Sequence, residues 1–188
     1  MNFTELAERA RSYRRFLEGK PVPRGLLRKM IGAAAMAPCA SNLQRLRFSI
    51  VTGEHDRNTL FPGIGWAGYI TDWSGPVPGE RPSAYIVVHA PEKEELFTGI
   101  DAGIAASHIV LAGAEQGVGS CILLNYDADA VNRTAPAEGY NPVLVIALGY
   151  PGETVVLEKD TEKIRYWRDE TDVHHVPKLP LETLILKG

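Results

Sequence analysis

The 188-residue chain has only two cysteines, Cys39 and Cys121, far apart in sequence. So sparse a supply implies neither a disulfide framework nor a cysteine-rich metal knuckle. No apolar run approaches the roughly 18 residues of a membrane-spanning helix. The opening Met1-Asn2-Phe3-Thr4-Glu5 lacks the apolar stretch of a signal peptide. A reduced, cytoplasmic protein with no membrane partner is the expectation. Strong net charge is also lacking. At −3, with a pI near 6.0, the chain as a whole is not built to coat nucleic acid. There are no internal repeats, no low-complexity tracts, no Walker loop, no serine nucleophile elbow and no HExxH. Gly63-Ile64-Gly65-Trp66-Ala67-Gly68 fits Gly-x-Gly-x-x-Gly by letter. It has no strand pattern before it, a bulky Trp66 inside it and no acidic residue about 20 positions on, so it is not a dinucleotide fingerprint. His174 and His175 are adjacent rather than at metal-ligand spacing.

What is present is enough apolar material, 45% of residues, for one substantial core and a single domain over 1–188. Pro23 can open a helix whose Leu26, Leu27, Met30, Ile31, Ala34 and Ala35 keep to one face, ending near Pro38. Leu46, Phe48 and Ile50 alternate with Arg47 and Ser49, the period of a strand with one buried face. Residues 62–82 are rich in Gly and Pro yet hold Trp66, Tyr69 and Trp73, which predicts a long ordered excursion. Tyr85–Val88, Ser120–Leu124 and Val143–Leu148 read as strands. Ile100–Gln116 reads as a helix apolar on nearly every side, buried all round and lined with small residues. Interleaved helices and strands predict an α+β domain. The segment from Val155 onward is largely polar and Pro-marked, ending in the apolar Leu184-Ile185-Leu186.

Two segments carry the chemistry. Arg11-Ser12-Tyr13-Arg14-Arg15-Phe16 offers guanidinium forks suited to phosphate oxygens. Arg11, Arg14, Arg15, Lys20, Arg24, Arg28 and Lys29 crowd this region against Glu18 alone. Ala37-Pro38-Cys39-Ala40-Ser41-Asn42-Leu43-Gln44 places an Asn and a Gln two apart in a polar turn at a helix-to-strand junction. Such an amide pair can address the donor and acceptor edge of a heteroaromatic ring. Together they point to a phosphorylated planar cofactor, with a solvated basic helix face and an ordinary Asx turn as the plainer readings.

Arg-Ser-x-Arg-x-Phe, a helix, Pro-x-x-x-Asn-x-Gln and an arginine-bearing strand, in that order, resemble the nitroreductase family of FMN-dependent, NAD(P)H-using oxidoreductases. The resemblance extends from about Arg11 to Lys178 and implies a nitroreductase-like α+β fold, a mixed sheet flanked by helices, in an intertwined homodimer. It implies FMN contacts from Arg11, Ser12 and Arg14 to phosphate and ribityl, and from Pro38, Cys39, Ala40, Asn42 and Gln44 of the neighbouring subunit. Leu124 and Asn125 would lie beside the redox-active ring edge, and Lys178 would reach the phosphate. Ala10 stands where many members carry another arginine, leaving Arg15 or the tail to meet the remaining charge. Cys39 stands where many carry Ser. The tail, about 155–188, would wrap the partner subunit, Leu184-Ile185-Leu186 adding a strand to its sheet. The implied reaction is ping-pong: NADH or NADPH gives hydride to flavin N5, and a nitroaromatic, quinone or other small acceptor then takes the electrons. The flavin carries the chemistry, so no side chain need be a catalytic acid or base. A flavin-consuming or dehalogenating enzyme on the same scaffold, a non-catalytic FMN-binding module, and a nucleic-acid binder using the basic N-terminus are the alternatives. Tyr166-Trp167-Arg168-Asp169-Glu170 and Val173-His174-His175-Val176 look like features of one subgroup and have no mechanism from sequence.

Overall fold

The computed structural model describes residues 1–93, 97–159 and 161–187; Asp160 and Gly188 of the expected tail lie outside them. At the centre is a four-stranded antiparallel sheet of β1 (Arg47–Val51), β2 (Ala84–Pro91), β3 (Gly119–Leu123) and β4 (Tyr140–Gly149), in spatial order β1-β2-β4-β3. The two longest apolar strands take the middle, where both faces are covered. Alternation along them sends Ile86, Val88, Leu144, Ile146 and Leu148 to one side, and Tyr85, Val87, Val145 and Ala147 to the other.

The first side is covered by α2 (Arg24–Ala35) and α4 (Thr98–Glu115). Leu27, Met30 and Ala34 of α2 form the buried stripe expected of a surface helix. The second side is covered by α3 (Glu54–Leu60) and α5 (Ala128–Thr134), through Leu60 and Val131, with Phe16 from the N-terminal segment. Ahead of them, α1 (Phe3–Arg9) begins with a capping box: Asn2 Oδ1 accepts the Glu5 amide and Glu5 Oε2 accepts the Asn2 amide, both at 3.0 Å.

The sequence expectations for these elements hold to within a few residues, and the excursion predicted over 62–82 is irregular after a short helical turn at Phe61–Gly63; the sheet expected to be mixed is antiparallel in all its described strand pairings, with a parallel bridge from Ser12 to Ser120 at its edge. Two further expectations change. The helix foreseen as buried all round is α4, and in one chain it is covered on one side only. Ile100 is 58% exposed, and Gly103 and Ser107 of the same open face are also exposed, because none of the described residues packs there. The C-terminal segment, foreseen only as a tail, folds into a second sheet of β5 (Val155–Glu158), β6 (Trp167–Arg168) and β7 (His174–Pro177), ordered β5-β7-β6. Beyond it, Leu181–Leu184 forms a helical turn, α6, with Leu181 and Leu184 exposed. Among the described residues no helix is long and apolar enough to cross a membrane.

Candidate functional site

The turn between α2 and β1 holds three of the five non-glycine residues with positive φ among the described residues. Ser41, Asn42 and Gln44 all take positive φ, at 50°, 54° and 47°. Left-handed conformations at non-glycine residues cost of order 1–3 kcal/mol each and persist only where the surroundings over-determine them. Here the turn is pinned from below: Asp101, 3% exposed in the first turn of α4, accepts the Ala40 amide on Oδ1 at 2.9 Å. Cys39 Sγ accepts the Gln44 amide at 3.4 Å, so within the chain the thiol serves as an acceptor. Gln44 Nε2 lies 3.4 Å from both Asn42 O and Asn42 Oδ1, joining the two amides on the exposed rim. Pro38, Cys39 and Ala40 also line a shallow apolar groove with Phe97, Ile100 and Ile104. The five turn residues singled out in sequence are therefore brought together.

The basic segment lies along the free edge of β3. Ser12 bridges Ser120, and the Tyr13 amide donates to Ser120 O at 2.9 Å. Arg11 folds back on α1, its Nη2 donating to Ala7 O, and burial lowers its pKa. Arg14 goes the other way and is only 9% exposed. Its Nη1 sits 3.1 Å from His174 Nε2, and its guanidinium carbon lies 4.6 Å from the centre of the Tyr166 ring. The nearby Glu153 carboxylate is spent on the Arg14 and Arg15 amides and on Arg168, whose Nη2 it meets at 2.6 Å. Among the described residues no carboxylate comes within ion-pair distance of the Arg14 guanidinium, and the Nε atoms of Arg11 and Arg14 are buried without partners. Arg15 does not share this freedom, since Glu80 and Asp172 already pair with it.

These two halves stand at opposite edges of the sheet, separated by the three strand spacings between β1 and β3, on the order of 15 Å. Leu124, just past the end of β3, is 74% exposed. Asn125 instead anchors the 64–82 excursion: its carbonyl accepts the Gly65 amide at 2.9 Å, and its side-chain amide fills the space where a Gly65 Cβ would stand. Lys178 is exposed at the end of β7, its backbone bonded to Glu158 and Thr161, with no described contact to Arg11 or Arg14.

The nitroreductase family model matches residues 7–150. The chain belongs to the nitroreductase family. Its fold is shared by a nitroreductase family protein from Streptococcus pneumoniae, at 19% identity over all of both chains with a TM-score of 0.71. An FMN-dependent nitroreductase from Clostridium difficile matches at 22% identity, TM-score 0.63, over 80% of this chain and 88% of that one. A protein named as an NADH dehydrogenase/NAD(P)H nitroreductase, from Parabacteroides distasonis, matches at 22% identity and TM-score 0.64 over the same shares. No curated protein matches in sequence.

For a member of this family, the donor chemistry of both halves suits FMN. Two partnerless guanidinium Nε atoms and one guanidinium with no counter-charge suit a phosphate, and exposed Asn42 and Gln44 amides suit a ring edge. Sequence reasoning missed Glu153, Tyr166 and His174 as parts of the Arg14 environment. Asp101, inside the helix expected over Ile100–Gln116, likewise gives no sign in sequence of its bond to the turn. Their signal was three-dimensional: each lies at least 60 residues from the group it serves.

Proposed function

We propose that this nitroreductase is a homodimeric FMN-dependent oxidoreductase that takes hydride from NADH or NADPH and reduces a small acceptor such as a nitroaromatic or quinone. The observation that carries this reading is the pinned, strained turn at 38–44, which presents an amide rim beside an uncovered apolar face of α4. Preorganised donors of this kind need no reorganisation when charge develops next to them. The opposite half of the site sits too far away in the same chain, so a second copy would complete it. Arg11, Ser12 and Arg14 would hold the phosphate and ribityl end. Pro38, Cys39, Ala40, Asn42 and Gln44 from the partner would hold the ring, and Leu124 would lie against it. Asn125, committed to the Gly65 loop, would contribute through its backbone, and Lys178 would add long-range charge. Bound flavin supplies reversible two-electron hydride chemistry. The protein's part is binding, orientation and exclusion of water, with no titrating side chain required.

The test is the visible spectrum of protein saturated with FMN and then gel-filtered, before and after anaerobic NADH or NADPH. A retained flavin band that bleaches is expected. Retained flavin that neither donor bleaches would reduce the protein to a binding module, and absence of retained flavin would remove the cofactor.

A further inference from the structure

A buried cation without a counter-ion is costly, because desolvation is repaid only by pairing or strong hydrogen bonds. Arg14 is such a cation. Its partners from the C-terminal segment are both neutral: the ring of Tyr166, over which the guanidinium carbon lies 4.6 Å from the centre, and His174, itself 1% exposed, at its Nη1. Guanidinium nitrogens only donate, so His174 Nε2 must accept and the ring proton resides on Nδ1, an unprotonated Nε2 that fits a deeply buried imidazole. Tyr166 is held in turn by Tyr69, with ring centres 5.0 Å apart, and by His174 at 5.2 Å. Glu153, whose carboxylate meets the Arg14 amide, is occupied elsewhere. One edge of the guanidinium is thereby fixed and its face covered, while Nε remains without an acceptor and the positive charge is not cancelled.

We propose that His174 and Tyr166 are positioning residues that hold Arg14 as a rigid, un-neutralised fork for the phosphate of the cofactor, so that the C-terminal sheet sets the preference for a phosphorylated flavin over riboflavin. This rests on the FMN reading above and deepens it, because the residues responsible lie beyond the stretch that the family model matches. A Lys or a free Arg would attract phosphate as a mobile charge. A guanidinium held over a ring and by a hydrogen bond offers fixed geometry with less entropy to lose.

The experiment compares His174→Gln with His174→Glu, two side chains of equal length, in full-length apoprotein whose fold is checked by circular dichroism. Dissociation constants for FMN and for riboflavin are measured by titration calorimetry, and the readout is the riboflavin constant divided by the FMN constant. Gln keeps a neutral acceptor for Nη1 and is expected to leave the ratio within about threefold of wild type. Glu places a carboxylate on Arg14, spends its charge internally, and is expected to lower the ratio by about tenfold or more, with riboflavin affinity little changed. Arg14→Gln, which leaves the C-terminal sheet untouched, should bring FMN and riboflavin close to parity. A Glu variant that keeps the wild-type ratio would overturn the proposal, as would a Gln variant that falls as far as Glu. Wild-type protein that binds flavin without preferring FMN would overturn it too. Wild-type protein that binds neither flavin would instead sink the underlying cofactor assignment.

Discussion

His174 and His175 are adjacent on β7, and alternation sends one inward and the other outward, with opposite consequences for titration. Burial, then the charges of Arg14 and Arg168, pull the His174 pKa down to about 4. Hydrogen bonds to Asp169 and Glu158 push that of His175 up, and the same bond to His175 is the largest cause holding Asp169 low. For His174 the unfolded chain binds a proton near 6.5 and the folded chain only near 4, so unfolding takes up a proton in that window. Stability should therefore fall as pH drops from about 6.5 toward 4. For His175 the sign reverses: its contribution is full below 6.5 and is lost as pH rises through its higher folded value. Thermal melts of wild type and His174→Gln across pH 4 to 7 separate the two, and the variant should lose the acid-side decline. An unchanged decline would assign it to other groups.

At the scale of elements, the 38–44 turn shows what sequence can and cannot disclose. Its position between helix and strand was legible, because Pro38 and the alternation from Leu46 mark the junction on either side. Its strain was not, since positive φ at Ser41, Asn42 and Gln44 is imposed from outside by a carboxylate 61 residues away from Ala40. Asp101→Ala should leave the Ala40 amide unpaired and cost about 1–3 kcal/mol in urea unfolding, while Asp101→Asn, which keeps an oxygen acceptor, should recover most of it. Equal losses in the two variants would mean that the hydrogen bond does not hold the turn. The same limit applies to the second sheet. Its strands are only two to four residues long and carry Arg, Glu and His, so no apolar period announces them. The central sheet was legible for the opposite reason: β2 and the inner part of β4 are near-continuous apolar runs, and runs of that kind belong in the middle of a covered sheet.

For the whole molecule, the open side of α4 matters most. Phe97, Ile100 and Leu43 are each about half exposed or more and lie near the turn, an arrangement that costs apolar burial unless something covers it. Ile100→Glu should give a folded monomer by analytical ultracentrifugation and should abolish FMN retention without touching any proposed flavin contact. A monomeric variant that still retains FMN would show the site to be complete within one chain, contrary to the placement of its halves at opposite sheet edges.

The contact between Arg14 and His174 joins positions 160 apart. During synthesis the N-terminal segment leaves the ribosome first, and the central sheet can assemble around it long before β7 emerges. Until then Arg14 has neither of its two neutral partners. The surroundings of Arg14 are thus completed late in synthesis, and a chain cut short before Tyr166 would carry the whole central sheet and core yet lack the partners that the proposed phosphate site requires.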